Sequence, residues 1–330
     1  MDQDTSCTTN PLLEPWTGPF GVPPFDRLKP SHFGQAFEIA LGLSQAETGA
    51  IAADPKPPSF ENTIEALETS GRELTQVCSV FFNLARADTN DELEAIEREI
   101  APKLARHRSA IYLNGAMFQR VDALYSRRSE LGLNAEQARV LERYHIAFLR
   151  NGGGLPDEAK ARLAAIAERL ATLATKFAQN VLADEKAYML VLAAKDDLAG
   201  LPASLISAAA RTAADRGLPS KHGITLSRSS IAPFLQFSAR RDLREKAFRA
   251  WAQRGESGGL TDNRAIASEM VRLRTERARL LGFASFAHFR LGDMMAKTPQ
   301  AAHDLLHSVW APARARPNHY RPTKSPFPQA

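Results

Sequence analysis

Apolar side chains recur three or four positions apart along most of this sequence, and this spacing limits the possible folds more than any other feature. A period of about 3.6 residues belongs to amphipathic helices, so the sequence predicts a mainly α-helical protein. One clear stripe starts with Ile64, Leu67 and Leu74, inside a helix predicted over 60–87. Other helices are predicted over 31–53, 156–184, 241–251, 262–281 and 299–310. Two capping-box patterns, Thr89 with Glu92 and Asn134 with Gln137, predict further helix starts.

One segment departs from the helical period. Residues 188–192 form a run of large, mostly apolar side chains, and 223–227 and 234–237 form two shorter runs. Runs of this length are typical of strands, so a small β element is predicted within 187–237. A short helix is predicted between the strands, over 202–216, and it ends at Gly217.

The two ends of the chain are predicted to differ from the helical region, 31–316. Residues 1–30 hold six prolines after position 10, and proline fixes φ and lacks an amide hydrogen. We therefore expect an extended, proline-rich arm whose aromatic side chains pack onto the body. Residues 317–330 hold four prolines and no acidic residue, and they are predicted to be a disordered tail.

The composition is that of a soluble globular protein. Of the 330 residues, 44% are hydrophobic and 24% are charged, and no run of residues is long and apolar enough to span a membrane. The net charge is +5, but residues 305–330 supply four of these charges, which leaves +1 for residues 1–304. A body so close to neutral does not predict general attraction to nucleic acid or to membranes.

A cytoplasmic location is predicted from two features. The N-terminal residues Met1 to Asp4 are acidic or polar, whereas a secretory signal begins with basic residues and an apolar run. The two cysteines, Cys7 and Cys78, are too few for a disulfide framework in a chain of this length. Cys7 lies in a polar segment and Cys78 in an apolar helical pattern, so we expect one exposed and one buried thiol.

The motif most similar to a metal site is His303-Asp304-Leu305-Leu306-His307, because histidines four positions apart share one helix face. Zinc peptidases carry glutamate after the first histidine, and here that position is Asp304. No acidic residue follows Asp304, and the only later ligand candidate is His319. We therefore predict a solvent-exposed histidine pair. The stripe predicted to face the core of this helix is Ala302, Leu305, Leu306 and Val309.

Other catalytic patterns are weak. Ser227, Ser229 and Ser230 offer hydroxyl groups, but no G-x-S-x-G motif surrounds them and the nearest histidine in the sequence is His222. Hydrogen bonding at the end of a strand is the expected role of these serines. The sequence contains no G-x-x-x-x-G-K-[ST], no G-x-G-x-x-G and no C-x-x-C.

Two stretches are rich in arginine, 240–254 and 272–279. Asp242, Glu245 and Glu276 lie among the arginines, which favours helix faces that are solvated or joined by salt bridges. Two alternatives stay open. Either stretch could bind RNA or an acidic partner, or could form an interface with another region of protein.

Many short blocks occur in the order in which they occur in a known family. These blocks are 10–13 (NPLL), 19–25 (PFGVPPF), 60–64 (FENTI), 179–185 (QNVLADE), 197–202 (DLAGLP), 224–227 (ITLS), 243–251 (LREKAFRAW) and 295–299 (MAKTP). The sequence resembles, over about 10–316, bacterial peptidyl-dipeptidases (dipeptidyl carboxypeptidases), in the thimet-oligopeptidase-like group of zinc metallopeptidases.

The resemblance implies a mainly α protein, the N-terminal lobe of a two-lobed peptidase. In this family an H-E-x-x-H helix and a later glutamate, both in the C-terminal half, bind zinc, and the enzymes remove C-terminal dipeptides from short peptides. The present sequence contains no H-E-x-x-H. Consequently no residue is assigned as catalytic, cofactor-binding or metal-binding, and zinc is not expected to bind this chain.

The resemblance ends after 312–316, where a proline-rich segment replaces the expected acidic residues and leucines. This change predicts a truncated or frame-shifted product that does not hydrolyse peptides alone and dissolves poorly, because apolar helix faces stay in water. Three functions remain open: an enzyme half that needs a separate C-terminal half, an inert fragment, or a non-catalytic helical binding module that uses its arginine-rich faces.

Overall fold

The computed structural model describes residues 10–256 and 258–316. This part of the chain is mainly α-helical, as predicted, with one two-stranded sheet. The α-helices are α1 (Pro30–Ala53), α2 (Ala66–Thr69), α3 (Arg72–Ala87), α4 (Asp91–Tyr112), α5 (Gly115–Ser126), α6 (Ala135–Arg150), α7 (Asp157–Ala187), α8 (Ala203–Asp215), α9 (Arg228–Phe237), α10 (Arg241–Ala252), α11 (Arg264–Leu280), α12 (Phe286–Leu291) and α13 (Pro299–Ala315). A π-helix, Phe60–Glu65, leads into α2, and short 3₁₀-helices lie at Pro19–Gly21 and Lys195–Leu198.

The strands are β1 (Leu190–Leu192) and β2 (His222–Ile224). They pair antiparallel, with Leu190 opposite Ile224 and Leu192 opposite His222. Helix α8 connects them and packs against β2. Both strands therefore fall within runs that the sequence predicted as strands or directly beside one, although each is only three residues long.

The prediction of a third strand at 234–237 was wrong, because these residues end helix α9. Ile231 and Phe234 are buried three positions apart, which is a helical spacing, and they pack in one cluster with Leu243 and Ala247 of α10. A short apolar run fits a strand and a buried helical turn equally well by periodicity. The contact with α10 therefore decides between the two.

The helix predicted over 60–87 is interrupted. Ser70 has an extended backbone, and Gly71 has a φ of 66°, a left-handed conformation that glycine adopts without strain. The amide of Gly71 donates a hydrogen bond to the Glu47 carboxylate of α1 over 2.7 Å, which holds this break against the neighbouring helix. The predicted start at Thr89 is also displaced, since Asn90 caps α4. The capping box of Asn134 with Gln137 is confirmed.

Helices α1, α3 and α4 enclose the largest group of buried phenylalanines, which we call the N-terminal core. Its buried members are Leu12, Phe33, Ala36, Phe37, Ala40, Leu74, Val77, Val80, Phe81, Leu93 and Ile100. The Phe81 ring lies edge-on to Phe33 at 5.2 Å and to Phe37 at 5.3 Å between centroids. Ala36 and Ala40 are small, so the neighbouring helices can approach α1 closely. Cys78 packs beside this core, and burial raises the pKa of its thiol to about 11.

The proline-rich segment packs onto the N-terminal core through only some of its side chains. Leu12 is fully buried, and Trp16 packs against the core while its indole nitrogen donates to the Pro11 carbonyl over 3.2 Å. Phe20 is fully exposed and Phe25 is exposed too, so the expectation that all aromatic side chains of the arm pack was wrong. Cys7 and the tail predicted to be disordered, 317–330, lie outside the described residues.

A buried arginine joins α5 to the segment between α1 and α2. Arg120 is 8% exposed and donates to the carbonyls of Asp54 over 2.8 Å and Lys56 over 3.1 Å. It also donates to the Asn62 side chain over 2.9 Å and to the Thr63 hydroxyl over 3.3 Å. Every acceptor belongs to a non-α or π-helical stretch, so one side chain satisfies backbone groups that a regular helix would have paired internally.

Three further clusters complete the interior of the described residues. One joins the π-helix, α5 and α6, and includes Phe60 and Phe148. A second lies between the sheet, α8, α9 and α10, and includes Leu192 and Phe234. A third joins α7 to α11 through residues such as Leu173 and Leu273. None of the helices in the described part of the chain has the length and hydropathy needed to cross a bilayer.

Candidate functional site

The histidine pair of α13 is exposed. The ring centroids of His303 and His307 lie 4.0 Å apart on the outside of the helix. Asp304, also exposed, accepts a hydrogen bond from Gln300 over 2.7 Å. Among the described residues, no group of three or more histidine, cysteine or acidic side chains is placed to hold a metal ion. His319, the only other ligand candidate considered for this pair, lies outside those residues.

The apolar stripe of α13 does not face a core, which contradicts the sequence prediction. Leu305 is 67% exposed, Leu306 66% and Val309 60%, and Trp310 extends the same exposed surface. No residue of α13 is buried, although α12 contacts the helix. We call Leu305, Leu306, Val309 and Trp310 the α13 apolar stripe.

The serine cluster has a structural role, as predicted. The Thr225 and Ser227 hydroxyls lie 3.0 Å apart, and the Ser230 hydroxyl accepts a hydrogen bond from the Thr225 amide over 3.1 Å. These bonds close the turn between β2 and α9. No hydrogen bond between His222 and these serines occurs in the described structure.

Three of the arginines around α10 are paired with acids. Arg240 contacts Asp197 at 2.6 Å and Asp242 at 2.8 Å, and Arg249 contacts Glu245 at 2.8 Å. The Arg240 guanidinium holds the pKa of the Asp242 carboxyl at about 2, below its usual range. Arg254 at the end of this stretch pairs with Glu185 of α7. The interpretation of this stretch as a salt-bridged face therefore holds for Arg240, Arg249 and Arg254, whereas Arg244 donates to the Ser238 carbonyl.

The arginines of α11 have different surroundings, because two of them line a cavity. The cavity measures about 700 Å³ and lies between α4, α6, α7, α11 and α12. Each helix contributes one face: Arg143, Ala147 and Arg150 lie four and three positions apart on α6, and Arg274 and Arg277 lie three apart on α11. The arginines that line this cavity are Arg108, Arg143, Arg150, Arg274, Arg277 and Arg290.

A single carboxylate faces these arginines. Asp293 binds Arg143 through two parallel hydrogen bonds of 2.6 and 2.8 Å, and this contact lowers the pKa of Asp293 to about 2. The Coulomb attraction of Arg150 also acts on Asp293. Within the described residues, none of the other five arginines has a carboxylate at ion-pair distance.

Aromatic rings and backbone groups hold the remaining guanidinium groups instead. Those of Arg150 and Arg277 lie 4.7 and 5.1 Å from the centre of the same ring, Phe289. Arg150 also donates to the Phe289 carbonyl, and Arg277 donates to the Asn151 side chain over 3.2 Å. Rings attract cations through their faces but do not neutralise them. The cavity thus keeps an excess of positive charge.

The excess of positive charge affects the pKa of Arg277. Burial lowers the pKa of its guanidinium, and the positive charges of Arg108 and Arg150 lower it further. A guanidinium still remains protonated at any physiological pH. The site therefore holds like charges close together in a concave, partly dehydrated space, where a bound anion would be stabilised.

The cavity was not predicted from the sequence, because only two of its arginines, Arg274 and Arg277, fall in the arginine-rich stretch 272–279. Those on α4, α6 and α12 are between 13 and 169 positions away from Arg277 and carry no common motif. The sequence feature that could have indicated these arginines is their helical spacing with small residues, as in Arg143, Ala147 and Arg150. Such a pattern is also typical of a solvated helix face, so the tertiary packing of five helices is what reveals the site.

Comparison with known proteins identifies one similar family and several similar peptidases. Residues 234–325 match the family described as Peptidase family M3. The dipeptidyl carboxypeptidases of Escherichia coli strain K12 and Salmonella typhimurium strain LT2 are each 40% identical to this chain over 309 residues, which is 94% of this chain and 45% of the relative. Oligopeptidase A of Salmonella typhimurium is 30% identical over 313 residues, again 94% of this chain and 45% of the relative.

The chain therefore spans about half the length of the curated relatives it matches. The predicted resemblance is confirmed over almost the whole chain. On these matches the chain is similar to peptidase family M3 over 234–325, and to the N-terminal half of dipeptidyl carboxypeptidases over 94% of its length.

Proposed function

We propose that this chain forms the helical N-terminal lobe of a peptidyl-dipeptidase, an enzyme that removes dipeptides from the C-termini of short peptides. The observation that carries this proposal is the 40% identity to dipeptidyl carboxypeptidase over 94% of the chain. Identity of this extent covers the N-terminal core, the sheet and α11 alike, so it supports a shared lobe and not a shared motif. A cytoplasmic location belongs to the same proposal, because the chain has two cysteines in 330 residues.

The catalytic zinc of such an enzyme does not fit the residues of this chain. His303 and His307 could offer two ligands, but a catalytic zinc site uses three protein ligands, and the sequence has no H-E-x-x-H. No step of peptide hydrolysis is therefore assigned to residues 1–330, and the chain alone is proposed to be inactive. Its role is to supply a folded wall for the substrate channel.

A C-terminal half of the same enzyme type, encoded separately, is the partner proposed for this lobe. The α13 apolar stripe supports such a partner, because leucine, valine and tryptophan side chains that stay in water favour burial against another surface. The stripe also lies near the C-terminal end of the described residues, within the segment that matches peptidase family M3.

A chimera tests this proposed function. The N-terminal segment of the Escherichia coli dipeptidyl carboxypeptidase that aligns with this chain would be replaced by the corresponding residues of this chain. We expect the chimera to release dipeptides from an N-blocked tetrapeptide. The controls are the parent enzyme and its C-terminal remainder alone. A chimera with native helix content and stoichiometric zinc that releases no dipeptide would contradict the proposal.

A second candidate, the non-catalytic binding module, has support at only one of its two arginine-rich faces. Around α10, Arg240, Arg249 and Arg254 are paired with acids, so these three charges are compensated within the fold. The α11 arginines Arg274 and Arg277 have no such acid among the described residues. Binding to RNA that weakens steeply with salt, and that requires Arg274, would favour this candidate over the peptidase lobe.

A further inference from the structure

The arginine-lined cavity combines positive charge with an enclosing shape. Among the described residues, a single ion pair, Arg143 with Asp293, offsets part of that charge. Six arginines line one space, and the single carboxylate among the lining residues, Asp293, is already bound by one of them, Arg143, on both oxygens. The positive charges of Arg108 and Arg150 act unfavourably on that of Arg277, and none of these three arginines has an ion pair with a described acid. Such an arrangement is stable in a folded protein when an anion occupies it or when water reaches it.

We propose that this cavity binds a small anion that carries phosphate groups. The planar guanidinium fork donates two parallel hydrogen bonds to oxyanions, and phosphate and carboxylate both fit that fork. Charge decides between them: a carboxylate brings one negative charge, whereas a pyrophosphate group brings two or more and so matches several arginines. The proposal goes beyond the peptidase function and does not depend on it.

The shape of the site favours a small molecule over a nucleic acid. A volume of about 700 Å³ falls in the range typical of small-molecule sites, and α4, α6, α7, α11 and α12 surround it. The faces of Phe286 and Phe289, which could stack on bases, are already covered by Arg274, Arg150 and Arg277. The polar contacts that the cavity offers to a ligand are therefore its guanidinium groups and the side chains of Ser109, Tyr112 and Asn151.

Hydrogen bonds join three of the four helices that carry these arginines, α6, α11 and α12. Arg150 of α6 donates to the Phe289 carbonyl of α12, and Arg277 of α11 donates to Asn151 just after α6. Arg143 of α6 binds Asp293 just after α12. The donors are thus positioned before any ligand arrives, which lowers the entropic cost of binding.

Calorimetric titration of the purified 330-residue chain with pyrophosphate tests the proposal. We expect one site per chain, with orthophosphate binding more weakly and the dicarboxylate succinate weaker still. Arg277→Gln should weaken pyrophosphate binding about tenfold or more, since a hydrogen-bonded charge is removed. Arg279→Gln is the matched control, because Arg279 is exposed on the same helix and does not line the cavity. It should change the affinity less than about twofold.

A second variant keeps the test decisive if Arg277→Gln fails to fold. Arg290 is exposed and lines the cavity, so Arg290→Gln should keep its circular dichroism spectrum and still lose affinity for pyrophosphate. The absence of saturable pyrophosphate binding would overturn the proposal, and so would an equal loss of pyrophosphate affinity in Arg279→Gln and in the cavity variants. Succinate that binds as tightly as pyrophosphate would also contradict it. So would single-stranded RNA that binds more tightly than pyrophosphate and is not displaced by it.

Discussion

Helices α1 and α13 carry the same kind of apolar stripe and lie in opposite surroundings. In α1, Phe33 and Phe37 are fully buried against α3 and α4. In α13, Leu305 and Leu306 are 67% and 66% exposed. The comparison teaches that a helical stripe reports which face can be buried, whereas burial itself depends on a partner. In α1 that partner is within the described residues, whereas the contact of α13 with α12 leaves every described residue of α13 unburied.

The largest effect should come from the N-terminal core. Phe81→Ala removes a ring that contacts Phe33, Phe37 and Phe82 edge-on, and it should lower the free energy of unfolding by about 3–5 kcal/mol. Denaturant unfolding followed by circular dichroism measures the change. The comparison between α1 and α13 supplies the control. Trp310→Ala deletes a larger side chain that is 62% exposed, so it should cost less than about 1 kcal/mol. Similar losses in the two variants would break the comparison.

The next largest effect on stability should come from replacing Arg120, the buried arginine of α5. Arg120→Leu leaves the carbonyls of Asp54 and Lys56 without their donor, and it should lower the free energy of unfolding by about 2–3 kcal/mol. Thermal and denaturant unfolding would both report the loss. Arg127→Leu, at an exposed position just after the same helix, is the control and should change stability by less than about 0.5 kcal/mol. If Arg120→Leu has the same free energy of unfolding as the unchanged chain, water must donate hydrogen bonds to these carbonyls in place of Arg120.

A smaller effect on stability should come from removing the ion pair that joins α6 to the segment after α12. The hydrogen bonds from Arg143 hold the pKa of Asp293 at about 2, below its value in an unfolded chain. The pair therefore stabilises the fold fully above about pH 4, and this contribution is lost as pH falls toward 2. Because Arg143 is exposed, we expect about 1 kcal/mol or less.

Asp293→Asn should reduce the dependence of stability on pH between about 4 and 2, as measured by urea unfolding across that range. Asp215→Asn is the control, because Asp215 is exposed and has no ion pair with any described residue. An equal reduction in both variants would mean that Arg143 does not bind Asp293 selectively.

The smallest effect on stability should come from the α13 apolar stripe. The double change Leu305→Ser with Leu306→Ser should alter the free energy of unfolding by less than about 0.5 kcal/mol, since neither side chain is buried. The same change should shift sedimentation at micromolar concentration toward a monomer, because less apolar surface is left to self-associate. A loss of stability comparable to that of Phe81→Ala would show that α13 packs on this chain.

The sequence predicted the helical class, the Asn134 capping box and the region of the sheet, because those depend on neighbours along the chain. It did not predict α9, because a four-residue apolar run has no resolvable period and its packing on α10 decided its structure. It placed Leu305 and Leu306 in a core for a related reason: period alone carries no information about partners.

The arginine-lined cavity could be predicted least. Two of its arginines, Arg108 and Arg290, lie on helices that are distant in sequence and meet only after folding. The sequence also gave equal weight to both arginine-rich stretches. The structure separates them, because Asp197 and Glu185 reach the arginines around α10 whereas no described carboxylate reaches Arg277.

The most direct test of the central claim, that this chain is a peptidase lobe without its catalytic zinc, is an assay of the purified chain with added zinc. Dipeptide release from an N-blocked tetrapeptide and the amount of bound zinc would be measured in the same sample. We predict no release and no stoichiometric zinc. Release that a chelator abolishes, and that His303→Ala also removes, would contradict the claim and would assign a zinc site to α13.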